Sequence, residues 1–288
     1  MQIERYTAFS ADPQGGNPAG VVLDATGVGD AEMLAAAARV GYSETAFLIP
    51  RGPGELDVRY FSPLAEVPFC GHATIAAAVA HTHTNGPGTF RLSTKAGPVE
   101  VSTEIHDGQV TATLVSVEPR SVEIADDDLE ALLAALRWDA ADLDPALPVR
   151  VAYAGAWHPV IAAATRARLA DLDYDFDLLA GLMAARDWTT IELVWRESGT
   201  VFHARDPFPP GGVVEDPVTG AAAAALGGYL RELRLVEPPA TLTVHQGEDM
   251  GRPGVITLGV PVTGGISVSG PRSRFPTPAD RCGQGWIP

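Results

Sequence analysis

Residues 58–83, VRYFSPLAEVPFCGHATIAAAVAHTH, carry a helical stretch built almost wholly of small residues, and this stretch constrains the fold more than any other. A helix that is small and apolar on every side is buried on every side. A strand and a short loop lead into it. It opens at Cys70-Gly71-His72, where first-turn N–H groups and the positive end of the helix dipole favour an anion. Residues 200–230, TVFHARDPFPPGGVVEDPVTGAAAAALGGYL, repeat the plan: strand, Pro/Gly-rich loop, Ala-rich helix. Two such helices suggest two related halves with one site between them.

A chain of 288 residues buries a sizeable core, and its length favours two domains. The net charge of −16 disfavours nucleic acid and anionic membranes as partners. The N-terminal MQIERYTAF is charged at once and has no signal-like apolar core, and no apolar run approaches the ~20 residues of a membrane span. Two cysteines do not make a disulfide scaffold, so the expected location is cytoplasmic.

In chain order the pattern predicts strands at 2–9 and 19–23. A helix follows, with Asp30 as its cap and Gly41 just past its end, and then a stretch at 42–49 that starts polar and becomes a buried strand. After the small-residue helix come strands at 89–94, 99–105 and 110–117, the last two joined by an Asp107-Gly108 turn. The polar segment 118–125 is the expected domain boundary, dividing the chain into residues 1–118 and 119–270, with 271–288 able to pack back on the first part. In the second half, helices are expected after Asp126-Asp127-Asp128 and at 166–171 and 176–186. Strands are expected at 149–153, 159–163, 190–195, 200–204, 241–246, 254–260 and 265–269. The Pro/Gly-rich tail has no period and is expected to be either disordered or pinned by Phe275 and Trp286, and Cys282 reads as a surface thiol.

Several features are read as structural. The spacing of GGNPAG at 15–20 fits neither a dinucleotide fingerprint nor a phosphate loop. His81 and His83, two apart on a helix, do not share a face for zinc. The acidic run at 126–128 complements a helix dipole. His158 and His245 lie in or beside strands. No metal and no cofactor are expected.

Other residues are suited to chemistry. Glu44 stands where a helix turns back into an apolar strand; it is either solvated there or turned inward as an acid/base. His72 occupies the first turn of the buried helix, where the dipole favours the neutral imidazole as donor or proton carrier. Asp216 either caps the second Ala-rich helix or acts on a ligand. Backbone amides at Gly71 and His72, and at Gly220 and Ala221, could hold a carboxylate.

Four words, AFSADPQGGNPAGVVL, YSETAF, RYFSPLAEVPFCGHAT and EDPVTGAAAAALGGYL, resemble the PhzF-like family of phenazine biosynthesis, within the diaminopimelate-epimerase-like fold. They occur in the family's order, and the resemblance spans about residues 2–271. It implies an α/β fold of the α+β type: two pseudo-symmetric domains, each a mostly antiparallel, barrel-like sheet around a central helix. It also implies a cofactor-independent isomerase, often a homodimer, that moves a proton on a small cyclic or amino carboxylate. Glu44 falls on the family's catalytic Glu, and His72 and Asp216 on its assisting His and acid. Asn17, Gly71, Ala73, Thr219, Gly220 and Ala221 fall on substrate-binding positions. Two departures stand out. Ala221 replaces a frequent Ser, and Pro217 stands where two-thiol epimerases carry the cysteine opposed to Cys70, leaving Cys70 as a buried small residue or, as the alternative, a lone catalytic thiol. The alternatives are a non-catalytic small-carboxylate-binding or interaction protein of the same fold, and a racemase or epimerase.

Overall fold

The computed structural model describes residues 1–275. Cys282 and Trp286 lie outside the described residues. No helix among the described residues is long and apolar enough to cross a membrane. The fold is mixed α/β, and its chain divides into two compact units. Among the described residues, one holds 1–14, 18–111 and 271–275; the other holds 15–17 and 112–270.

In the first unit the order is β1 (Glu4–Ala8), β2 (Asn17–Val22), α1 (Asp30–Val40), β3 (Glu44–Gly52), β4 (Glu55–Phe61), β5 (Glu66–Val67), α2 (Gly71–Asn85), β6 (Gly88–Thr94), β7 (Gly97–His106) and β8 (Gln109–Val115). Antiparallel ladders join β3 to β4 and β6 to β7, while β2–β3 and β4–β6 run parallel. The apolar run Ala46–Phe47–Leu48 of β3 is fully buried. Of these, Phe47 packs with Met33, Ala36 and Ala37 of α1 and meets Phe61 edge-on. Asp30 does not cap α1: the cap is Gly29, and Asp30 is the first helical residue, drawn to the Arg59 guanidinium at 2.6 Å. Gly41 ends the helix at φ 73°, its N–H bonded to the Ala37 carbonyl. Asp107 and Gly108 both adopt positive φ, as a tight primed turn requires.

Helix α2 is buried from His72 to Ala80 and packs against β1, β3 and β7. Its small side chains let strands approach the helix backbone. The polar residues it buries are satisfied: Thr74 bonds Tyr60 and the Cys70 carbonyl, each at 2.6 Å, and Thr82 bonds Thr103 at 2.8 Å.

The second unit holds β9 (Arg120–Glu123), α3 (Asp126–Leu136), β10 (Arg150–Tyr153), β11 (Trp157–Ala162), α4 (Arg166–Ala170), α5 (Phe176–Arg186), β12 (Glu192–Arg196), β13 (Val201–Pro207), β14 (Glu215–Asp216), α6 (Gly220–Glu232), β15 (Ala240–Gln246), β16 (Gly254–Val260) and β17 (Ser267–Ser269). Strands β9, β10 and β11 pair antiparallel in turn, β11–β12 and β13–β15 run parallel, and β12–β13 and β15–β16–β17 are antiparallel. Leu132, Leu136, Trp138, Leu179, Met183 and Trp188 form the core beneath α3 and α5. Helix α6 is buried from Ala222 to Leu230. Its Gly227–Gly228 pair fits a tight contact: a Cβ at Gly228 would lie 2.3 Å from Pro119 Cβ, and one at Gly227 would lie 3.1 Å from Ile266.

The division between units differs from the composition break at 118. The strand β8 runs through it, and its later residues, Thr113 to Val115, pair with β17. The polar segment after 118 holds β9. Residues 272–274 form β18 (Arg272–Arg274), antiparallel to β1, and the Phe275 N–H continues the ladder to the Arg5 carbonyl.

Candidate active site

Two clusters gather the residues singled out by sequence, one at the N-terminus of each small-residue helix. In the first, Gly41 stops α1, and the chain re-enters the sheet through Ser43 and Glu44. Glu44 opens β3 beside Ala19 of β2. Cys70, extended at φ −148° and ψ 116°, precedes α2, and no side chain caps the helix. This turn brings His72 back over Glu44, with Nε2 at 3.3 Å from Oε2. The Cys70 thiol donates to the same Glu44 Oε2 at 3.5 Å, and its sulfur lies 3.4 Å from His72 Nδ1. Ser43 Oγ approaches His72 Nε2 at 3.4 Å. The Glu44 side chain is 16% exposed and that of His72 9%, so the pair is shielded yet reachable. A Cβ at Gly71 would meet nothing within 4 Å, so the approach to the first-turn amides is open there, whereas Ala73 is fully buried.

Chemically, a carboxylate, an imidazole and a thiol that touch one another can pass a proton among themselves. The same donor types, all within 4.8 Å of one another, could also hold a divalent cation of the zinc class.

The second cluster surrounds Asp216 on β14. Asn17 Nδ2 donates to Oδ1 at 2.9 Å and to the Val218 carbonyl at 3.1 Å, and Thr219 Oγ1 donates to Oδ2 at 2.6 Å. Gln246 closes the ring. Its Nε2 donates to the Asp216 carbonyl, and its Oε1 accepts from the Thr219 N–H, both at 3.0 Å. Asp216 is therefore not a helix cap: Thr219 holds that position, and the Asp216 side chain is turned to Asn17 and Thr219. Arg252 holds the Asn17 loop by donating to the Gly15 and Gly16 carbonyls. Beneath, Arg205 and Glu215 form a buried two-pronged ion pair at 2.9 and 2.6 Å. Gly220 and Ala221 stand half-buried in the first turn of α6.

Glu44 and His72 thus meet in one cluster, while Asp216, Asn17, Thr219, Gly220 and Ala221 belong to the other. Sequence reasoning did not single out Ser43, Gln246 or Arg252. Ser43 is adjacent to Glu44 in the SET word, whereas Gln246 and Arg252 carry no local signal. Cys70 proves to be more than a buried small residue, since its thiol contacts both Glu44 and His72.

The family model described as phenazine biosynthesis-like protein, PhzC-PhzF, matches residues 6–270. The chain belongs to the phenazine biosynthesis-like family. This PhzF-like chain is 31% identical over 273 residues to an uncharacterized isomerase, YfhB, of Bacillus subtilis, covering 92% of each. It is 30% identical over 253 residues to the trans-2,3-dihydro-3-hydroxyanthranilate isomerase of Pseudomonas chlororaphis, covering 86% of each. In fold it matches the crystal structure of a Bacillus anthracis phenazine biosynthesis protein of the PhzF family, with a TM-score of 0.84 at 24% identity, over 96% of this chain and 98% of that one. In reaction class the PhzF-like chain is an isomerase.

Proposed function

We propose that the protein shifts a proton between carbons of a small cyclic or amino carboxylate, without a cofactor, and that Glu44 is the acid/base. The observation that carries this reading is the contact of one Glu44 oxygen with both the His72 imidazole and the Cys70 thiol, at 3.3 and 3.5 Å, beside the uncapped start of α2.

Glu44 removes a proton from a carbon conjugated with the substrate carboxylate, and the freed electron pair spreads through the conjugated system. Protonated Glu44 then returns a proton to another carbon of that system, so the double bond moves and no atom is gained or lost. General acid–base catalysis of this kind contributes ~10²–10⁴-fold. His72 stabilises the charge left behind, and first-turn amides at Gly71, His72 and Ala73 favour the carboxylate. In the second unit Asp216, braced by Asn17 and Thr219, is a second functional acid, and Gly220 and Ala221 offer first-turn amides of their own. The family resemblance also supports a homodimer, which sedimentation velocity tests directly.

The first probe is trans-2,3-dihydro-3-hydroxyanthranilate, followed by small cyclic carboxylates that raise the melting temperature. Incubation in deuterated water with NMR detection should show deuterium entering carbon positions. Glu44→Gln should keep the thermal shift and lose the exchange. Undiminished exchange in that variant would take Glu44 out of the mechanism, and binding without exchange by the native chain would favour a non-catalytic carboxylate-binding protein.

A further inference from the structure

Behind Asp216, within the second unit, lie two acids that the proposed chemistry leaves unused. Glu192 of β12 and Asp206 of β13 are both wholly buried. The β12–β13 ladder pairs Leu193 with Arg205, so one step along it Glu192 faces Asp206, and their carboxyl groups are within hydrogen-bonding reach. In the next ladder Asp206 stands directly opposite Asp216. Residues directly opposite in such ladders project to one face. Three carboxyl groups therefore run in a row across three strands, and only the last of them reaches the Asn17–Thr219 cluster.

No cation neutralises this row from its own strands. Arg205 projects to the other face and is committed to Glu215. From β11 comes His158, wholly buried, whose basicity burial lowers to about 3, so it is neutral. Its Nδ1 contacts Thr190 Oγ1 at 2.9 Å, and the Thr190 hydroxyl in turn donates to Asp206 Oδ1. From β15 the facing group is the uncharged Gln246. Asp206 Oδ2 and both Glu192 oxygens receive no N–H or hydroxyl donor among the described residues. Two carboxyl groups this close and this dry cannot both ionise; they retain a proton between them. Burial, first, and then the repulsion of Glu192 push Asp206 well above the ordinary carboxylate range, and burial raises Glu192 to about 7.

We propose that Glu192 and Asp206 share one proton and act as a buried charge regulator that sets the pH at which Asp216 ionises. They are positioning residues: neither is placed to touch the substrate, and both act through Asp216. The inference rests on the reading of Asp216 as a functional residue. As Asp216 loses its proton, the shared proton can shift onto Asp206 and reduce the repulsion across the ladder.

The test is a titration by NMR of protein carrying ¹³C-labelled Asp and Glu carboxyl groups, with the Asp216 signal assigned through Asp216→Asn. The native chain should show one proton held by the pair at neutral pH. Asp206→Asn leaves Glu192 without a partner anion and hence neutral. The Asp216 midpoint should then fall by about one pH unit, a roughly tenfold change in its ionisation ratio. An Asp216 midpoint that does not move overturns the proposal. So does a native pair that is fully ionised or fully protonated at neutral pH, a measurement that stands even if Asp206→Asn fails to fold. Because no ligand is involved, the result separates from the functional reading of Asp216. If the midpoint shifts but Asp216→Asn leaves deuterium exchange intact, the regulator stands and that functional reading falls.

Discussion

The two small-residue helices begin alike, yet their N-terminal clusters are built on opposite principles. At α2 the reactive groups touch one another: Glu44 meets a thiol and an imidazole, and no side chain caps the helix. At α6 the central acid is saturated: Asp216 accepts from Asn17 and Thr219, and Gln246 and Arg252 brace the surroundings. A group whose hydrogen bonds are already satisfied holds its position, whereas a carboxylate in contact with other proton carriers can exchange protons with them. The first cluster is suited to chemistry and the second to orientation.

Mutations can break that contrast. Glu44→Gln should cost at least ~10²-fold in exchange rate with an unchanged melting temperature, because it removes the proposed base and little packing. Arg205→Ala should act on stability instead. It strands Glu215 as a buried, uncompensated charge, a loss of about 3–5 kcal/mol that denaturant unfolding reads directly. Asn17→Ala should cost about 1–3 kcal/mol, because the wholly buried contact to Asp216 Oδ1 is lost, and should raise KM more than it lowers kcat. An equal fall in kcat would mean the second cluster shares in the chemistry. Cys70→Ser should likewise leave stability nearly unchanged, since it keeps a small donor next to Glu44, and should alter the pH profile of exchange. An unaltered profile would reduce the thiol to packing.

Stability should also respond to pH through Glu192. Burial holds its folded value, about 7, above the ordinary carboxylate value of 4.5, so between these limits the folded chain holds a proton that the unfolded chain has released. Stability from this group is present below about 4.5 and is lost as pH rises toward 7. His158 runs the other way: it is neutral in the fold, so its contribution is present above 6.5 and is lost as pH falls toward 3. Glu192→Gln should therefore make the decline in stability toward neutral pH shallower than in the native chain, measured by urea melts across that range.

The long, periodic segments were legible in the sequence. Helix α5 occupies 176–186 as expected, and Gly41 closes α1 because only a residue tolerant of positive φ suits that position. What escaped has a common cause. Strands β5, β9 and β14 are two to four residues long and hold no period to detect. The assignment of 15–17 to the second unit depends on Arg252, over two hundred residues away. Asp216 invited a capping role because local spacing allows it, but Asn17, distant in sequence, claims its carboxylate. Glu192 lay hidden in a strand of ordinary alternation, since nothing local reveals that both faces of β12 are buried at that point.

The glycine contact near the end of α6 reaches beyond its own surroundings. Pro119 is set so close to Gly228 that any side chain there would collide with it and push the helix aside. The helix works like a bolt in a keyed slot, fixed at one end and aimed at the other. Gly220 lies eight residues upstream, about 12 Å along the axis. A side chain placed in the slot would misdirect the far tip of the helix by leverage, loosening the amides at Gly220 and Ala221 without touching any residue near them.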